Sequence, residues 1–140
     1  TESLFDEGAD IFIPDGGLFG SPGFDVARER GGYGIWVDTD GFNSLSGVQD
    51  VILTSVMKVM DVAVFSIIEE TMNGNFQGCG TYVGDLANGG VALAPYHDLD
   101  SAVPDELKAE VEALAESILS GEITDTGCVS YPEHCPGGLY

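Results

Sequence analysis

YGIWVDTDG, residues 33–41, is the stretch on which the fold turns. A mostly apolar run ends in two carboxylates, Asp38 and Asp40, and then a glycine. A strand wetted on one face alternates apolar and polar side chains, whereas a parallel strand covered on both faces reads as a continuous apolar run. Upstream, ADIFIP (9–14) is a second short apolar run, stopped by Pro14 and the turn sequence DGG (15–17). Between them SPGFDVARER (21–30) suits a short helix, with Ser21 placed to cap it and Pro22 near its first position. Strand, helix and strand in this order predict a βαβ unit: parallel strands in an α/β fold, flanked by helices.

Further along, residues 48–72 (VQDVILTSVMKVMDVAVFSIIEETM) carry Ile52, Val56, Val59, Met60, Ala63 and Ile67 at spacings of helical type. The pattern predicts one long helix closed by Asn73-Gly74, apolar enough to be covered on more than one side. GTYVGDL (80–86) and GGVALA (89–94) are two further strand candidates, and Cys79, just before the first, reads as a buried strand residue with a free thiol. Pro104 opens an amphipathic helix with Asp105 and Glu106 in its first turn. Leu107, Val111, Leu114 and Ile118 line its apolar face and Gly121 ends it.

A chain of 140 residues with 44% hydrophobic content is long enough for one real core. Its charge is unusual: four basic residues against 24 acidic ones, a net −20. A field of that sign repels phosphate backbones and anionic lipid, which argues against nucleic acid as a partner. The acids are spread along the chain, as on a protein adapted to concentrated salt or on an acidic secreted protein. No run of 18 apolar residues is present to span a membrane as a helix. Cys128 and Cys135, in CVSYPEHC, are spaced to close the tail as a disulfide, which implies an oxidising compartment. A zinc site built from Cys128, His134 and Cys135 lacks a fourth ligand, so no metal is expected. The start at Thr1, without methionine, signal peptide or lipid-acceptor cysteine, reads as a processed product or a piece of something longer.

With these elements in order, GADIFIPDGG, GYGIWVDTDG, LTSVMKVMDVAVFSIIEE, GGVALAPYHDLDSAVPDEL and SGEI together resemble the C-terminal half of the basic membrane protein family. These are substrate-binding lipoproteins of ABC importers, the purine-nucleoside receptors among them. The resemblance runs from about residue 3 to residue 124, and its most specific pieces are LTSVMK with MDVAVF, and LAPYHDLDSAVP. It implies a partial type I periplasmic-binding-protein fold, two α/β lobes in the full-length family, with the family's first half absent. Residues 1–47 would then be the βαβ portion of the C-terminal lobe, 48–124 the crossover and completion of the other lobe, and 125–140 a disulfide-closed tail. The implied partners are a nucleoside-like small molecule, an ABC permease in the intact receptor, and either the missing half as a separate chain or a second copy. The implied location is extracytoplasmic, at the cell surface or secreted. No cofactor is implied.

The candidate site follows from the strand ends. Ligands of open α/β sheets lie beyond the carboxyl ends of the strands, where DGG and DTD both fall. A carboxylate suits a sugar because its oxygens accept hydrogen bonds from adjacent hydroxyls. Asp38 is the first candidate, and the resemblance likewise implies a place for it at a ribose; the alternative is an Asx turn. Asp40 is expected to turn toward a loop or solvent. Gly16 and Gly17 either let the backbone approach a ligand or only form a tight turn. Pro14-Asp15 departs from the small-residue run that the family often has here, adding a negative charge near the site. Phe19 or Phe24 is available to stack on a purine. Lys58 matches the lysine of the family's TSxxK stretch, and either reaches the cleft or pairs on a helix surface with Asp61. His97 matches a family position near the crossing strands, where a structural hydrogen bond is expected. An enzyme using the paired acids and His97 is the rival from another class, but no nucleophile elbow, P-loop or HExxH pattern is present. A relative that has lost its pocket and serves as an assembly subunit is the other rival.

Overall fold

The computed structural model describes residues 1–124. It divides into two compact units, the first running from Thr1 to Val103 and the second beginning at Pro104. The first unit is built on a four-stranded sheet in the order β1 (Ile11–Phe12), β2 (Tyr33–Asp38), β3 (Ile52–Lys58), β4 (Val91–Leu93). Strands β1, β2 and β3 are parallel, and β4 runs antiparallel to β3. Phe12 lies opposite Gly34, Asp38 opposite Met57, and Lys58 opposite Val91. The carboxyl ends of the three parallel strands therefore share one edge of the sheet.

Helix α1 (Glu2–Asp6) precedes β1, and α2 (Gly23–Arg30) joins β1 to β2, completing the βαβ unit that the sequence predicts. One face of β1 and β2 is packed against α2 by an aromatic series. Phe5, Phe12, Phe24 and Trp36 follow one another with ring centroids 6.1, 5.1 and 5.9 Å apart. Phe24 is wholly buried, a contribution of roughly 1.5–3 kcal/mol from its side chain alone. Gly34 makes room for these rings, since a Cβ there would overlap both Phe24 and Phe12. The opposite face is only partly covered: Ile11 and Ile13 are exposed, and Ile35 and Val37 are intermediate. The continuous apolar run of β2 thus overstates its burial.

The loop from β2 to β3 contains the single-turn helix α3 (Gly41–Ser44), and Gln49 and Arg28 are among the side chains that tie it down. Gln49 accepts from the Gly47 and Val48 amides and donates to the Phe42 and Leu45 carbonyls. Arg28 on α2 forms a two-pronged pair with Asp50, at 2.8 and 2.6 Å, and also donates to Asp25 and to the Gly47 carbonyl. Its hydrogen bond draws the Asp50 carboxyl below the usual range and raises the guanidinium in turn.

Three expectations are corrected here. Residues 48–72 are not one helix: 52–58 form β3, and only α4 (Met60–Met72) is helical. Ile52 and Val56 stand four apart, a spacing that keeps two side chains on one side in a helix and in a strand alike. Pairing with β2 and β4 decides in favour of the strand. Residues 80–86 form no strand, because Asp85 and Asn88 exchange side-chain-to-backbone hydrogen bonds at 2.8 and 2.9 Å and close a turn instead. Cys79 is consequently exposed, in a loop, with φ of +65°.

No residue of α4 is buried, although the sequence suggested cover on more than one side; Val64, Phe65, Ile68 and Met72 are all exposed. In the second unit α5 (Asp105–Leu119) follows Pro104 as predicted. Beyond its last residues Gly121 takes φ of +75°, and the Glu122 and Ile123 amides return to the Ser117 carbonyl. Among the described residues no helix is long and apolar enough to cross a membrane. The expected Cys128–Cys135 disulfide and the 125–140 tail lie outside the described residues.

Candidate functional site

The carboxyl ends of β2 and β3 and the start of α4 bring together Asp38, Thr39, Asp40, Lys58 and Asp61 around a cavity of about 270 Å³. Asp38 closes β2 in an unusual conformation. Its φ is +70°, and the Thr39 amide donates to the Val37 carbonyl at 2.9 Å, a γ-turn centred on Asp38 in its rarer, strained sense. Aspartate accepts positive φ more readily than most residues. The turn aims the carboxylate across to β3, where its Oδ1 lies 2.6 Å from Lys58 Nζ.

That contact places Lys58 differently from the helix-surface pairing with Asp61. Lys58 is the last residue of β3, so its side chain belongs to the strand edge, and its ion partner is Asp38. The hydrogen bond to Asp38, then the charge of Asp38 and finally the charge of Asp15 raise the ammonium above its ordinary value. Both groups stay wet, with side chains 71% and 47% exposed, so the pair is open to an incoming ligand.

Asp40 has other work. Its Oδ1 accepts the Phe42 amide at 3.1 Å, capping α3, and its Oδ2 accepts Asn43 Nδ2 at 2.7 Å and meets His97 Nε2 at 2.9 Å. The carboxylate is thus turned into the loop. His97 opens a 3-10 turn (His97–Ala102) after β4, has φ of +46°, and stacks on the Phe42 ring with centroids 4.1 Å apart. On the other side of the loop, the Gly41 amide donates to the fully buried Ser55 Oγ at 2.9 Å.

Gly16 and Gly17 follow β1 with φ of +117° and +65°, and a Cβ on either would meet nothing within 4 Å. They make a turn that β-carbons would strain, and they leave its backbone open. Of the two phenylalanines, Phe24 is sealed in the core and has no face to offer a base, whereas Phe19 is 97% exposed. The sequence pattern does not mark Ser55 or Phe42, Ser55 because the spacing around it fits a helix as well as a strand. Among the described residues no cluster of His, Cys, Asp and Glu is arranged to hold a metal ion. A larger cavity, about 590 Å³, lies by α4 and is lined by residues that include Glu70, Phe76, Cys79 and Tyr82.

Two solved structures share this architecture. A transcriptional activator of the comK gene from Bacillus halodurans superposes with a TM-score of 0.70 at 23% identity, over 83% of this chain and 38% of its own. An ABC transporter system solute-binding protein from Conexibacter woesei gives 0.65 at 26% identity, over 87% of this chain and 39% of its own. The first likeness speaks for the fold alone. The chain therefore spans about two fifths of the length of the solved structures it matches. No curated protein matches. The family model described as ABC transporter substrate-binding protein PnrA-like matches residues 1–126. That match covers the motifs from GADIFIPDGG through SGEI, and the chain belongs to the PnrA-like family of ABC transporter substrate-binding proteins.

Proposed function

We propose that the chain supplies part of the binding site of an extracytoplasmic solute receptor serving an ABC permease, and that its ligand is a nucleoside or a similar small polar molecule. The observation that carries the reading is the Asp38–Lys58 pair, exposed at the ends of adjacent parallel strands and built on a strained turn. Asp38 accepts hydrogen bonds from vicinal sugar hydroxyls, Lys58 donates to the same sugar, and the open backbone at Gly16 and Gly17 lies close to the ligand. Ligand pockets run to roughly 300–1,000 Å³, and the cavity of about 270 Å³ at these residues falls just below that range.

The test is calorimetric titration of the protein, together with any chain that co-purifies with it, with adenosine, inosine, guanosine and uridine, alongside D38N. Binding of at least one nucleoside, lost or strongly weakened in D38N, is the expected result. No binding by wild type at millimolar ligand, or equal binding by D38N, sinks the reading.

A second reading has its own observation. The bare apolar surface of α4 suits an assembly subunit, in which that surface meets either a chain carrying the rest of the family fold or another copy. Native mass spectrometry of material from its source separates the two. A nucleoside retained in the particle supports the receptor, and a ligand-free oligomer supports the subunit.

A further inference from the structure

We propose that His97 is a positioning residue for the strand-end site: it latches the 38–44 loop in the conformation that presents Asp38. The proposal rests on the reading of Asp38 as the ligand acceptor for its consequence, but the latch itself is a property of the free protein. Four observations meet at this point. His97 Nε2 lies 2.9 Å from Asp40 Oδ2, joining residues 57 apart in the chain. The imidazole lies nearly flat on Phe42, 13° from parallel, so the loop is held by a ring face and by a hydrogen bond. Both partners are largely covered, with side chains 23% and 18% exposed, which shields the bond from water. His97 also holds φ of +46°, a left-handed conformation that histidine enters more readily than most residues with a Cβ and that sets the direction of its ring.

The latch has a rigid base. Three residues before it, the Ala94 amide donates to the Ser55 carbonyl at 2.9 Å, and Thr54 Oγ1 donates to the Ala94 carbonyl at 2.6 Å. The same Ser55 accepts the Gly41 amide through its hydroxyl. Strand β3 therefore grips the loop directly through Ser55 and indirectly through Ala94 and His97. Asp38 sits two residues before Asp40, so a loop released at Asp40 frees the turn that aims Asp38 at Lys58. His97 touches neither member of that pair in any bond described above; it acts through Asp40.

The test compares His97→Phe, which keeps a stacking ring and loses the hydrogen bond, with His97→Gln, which keeps a donor. Both carry the same backbone strain. The first readout is amide hydrogen exchange at Thr39, Gly41, Phe42, Asn43 and Ser44 in the ligand-free chain. Loss of a hydrogen bond to a carboxylate should speed exchange in H97F by about tenfold or more, with H97Q within about threefold of wild type. Exchange in H97F equal to wild type overturns the latch, whatever the ligand does. Should H97F not fold, Phe42→Leu replaces it, with faster exchange at the same amides expected and unchanged exchange counting against the proposal. The second readout is nucleoside affinity, expected to fall about tenfold in H97F and to recover in H97Q. Faster exchange without nucleoside binding by any variant leaves the latch standing and removes the ligand reading. Nucleoside binding with neither readout moved removes the latch alone.

Discussion

Lys58 Nζ and Asp38 Oδ1 lie 2.6 Å apart across neighbouring parallel strands, and both side chains remain in water. Exposed ion pairs contribute little to stability. The strained backbone at Asp38 is therefore not explained by the stability that the pair contributes.

Replacing Lys58 by Met should leave the melting temperature close to wild type while weakening nucleoside binding. In the free protein the Lys58 ammonium should titrate at higher pH in wild type than in D38N, because Asp38 favours its charged form. A folded-state value above the unfolded one means that any stability from the pair is present at neutral pH and disappears only as alkali passes through the folded value. Observation of the Lys58 side chain by NMR during an alkaline titration checks the order.

Asp38→Asn should reduce nucleoside affinity by about 10- to 100-fold, the loss expected for a hydrogen bond to a charged acceptor. Asparagine tolerates positive φ, so the γ-turn should survive and the circular dichroism melt should move little. Asp38→Ala loses the acceptor and also strains the turn, so it should melt earlier than Asp38→Asn.

Phe19 and Phe24 should respond in opposite ways. Phe24→Ala empties a fully buried ring site and should cost about 3–5 kcal/mol in denaturant unfolding. Phe19→Ala removes a side chain that is 97% exposed and should leave unfolding unchanged. If the Phe19 ring stacks on a base, the same variant loses purine affinity and retains affinity for ribose alone, which parallel titrations resolve.

Ser55→Ala should destabilise by about 1–3 kcal/mol, because it leaves the Gly41 amide without its acceptor in a buried setting. It should also raise hydrogen exchange at Gly41 itself. Chemical denaturation together with exchange at that amide separates the local loss from the global one.

The Arg28–Asp50 pair predicts a small acid-dependent effect. The Asp50 carboxyl is held low by its hydrogen bond with Arg28, so its contribution is complete above the unfolded carboxylate range and is lost as pH falls through the folded value. Asp50→Asn should lower stability at pH 7 and make no difference well below the carboxylate range. Urea melts at the two ends of that range check the sign.

Much of the fold was legible because it is local. Pro14 with DGG, the short helix at 21–30 and the apolar run at 33–37 mark a βαβ unit by composition and spacing, and the parallel pairing of β1 with β2 follows. The bounds of α5 were legible for the same reason: Pro104 and Gly121 act on their own neighbours. The site was half legible. Asp38 and Asp40 could be placed at the strand end, and Asp40 could be expected to turn to its loop, but their distant partners could not be read, since one carboxylate meets a lysine on another strand and the other a histidine 57 residues away.

By itself the sequence determined the family, through the order of motifs along nearly the whole chain, and the α/β class and the strand edge at which the acids stand, which rest on residues close together in the chain. Only the tertiary structure decided that 52–58 is a strand, that Lys58 answers Asp38, that Phe24 is core and Phe19 is not, and that His97 holds Asp40. The physical reason is the same in each case. A spacing of four residues satisfies a helix and a strand equally, and a charge or a ring is neutral about its partner until the sheet register brings distant segments within bonding distance.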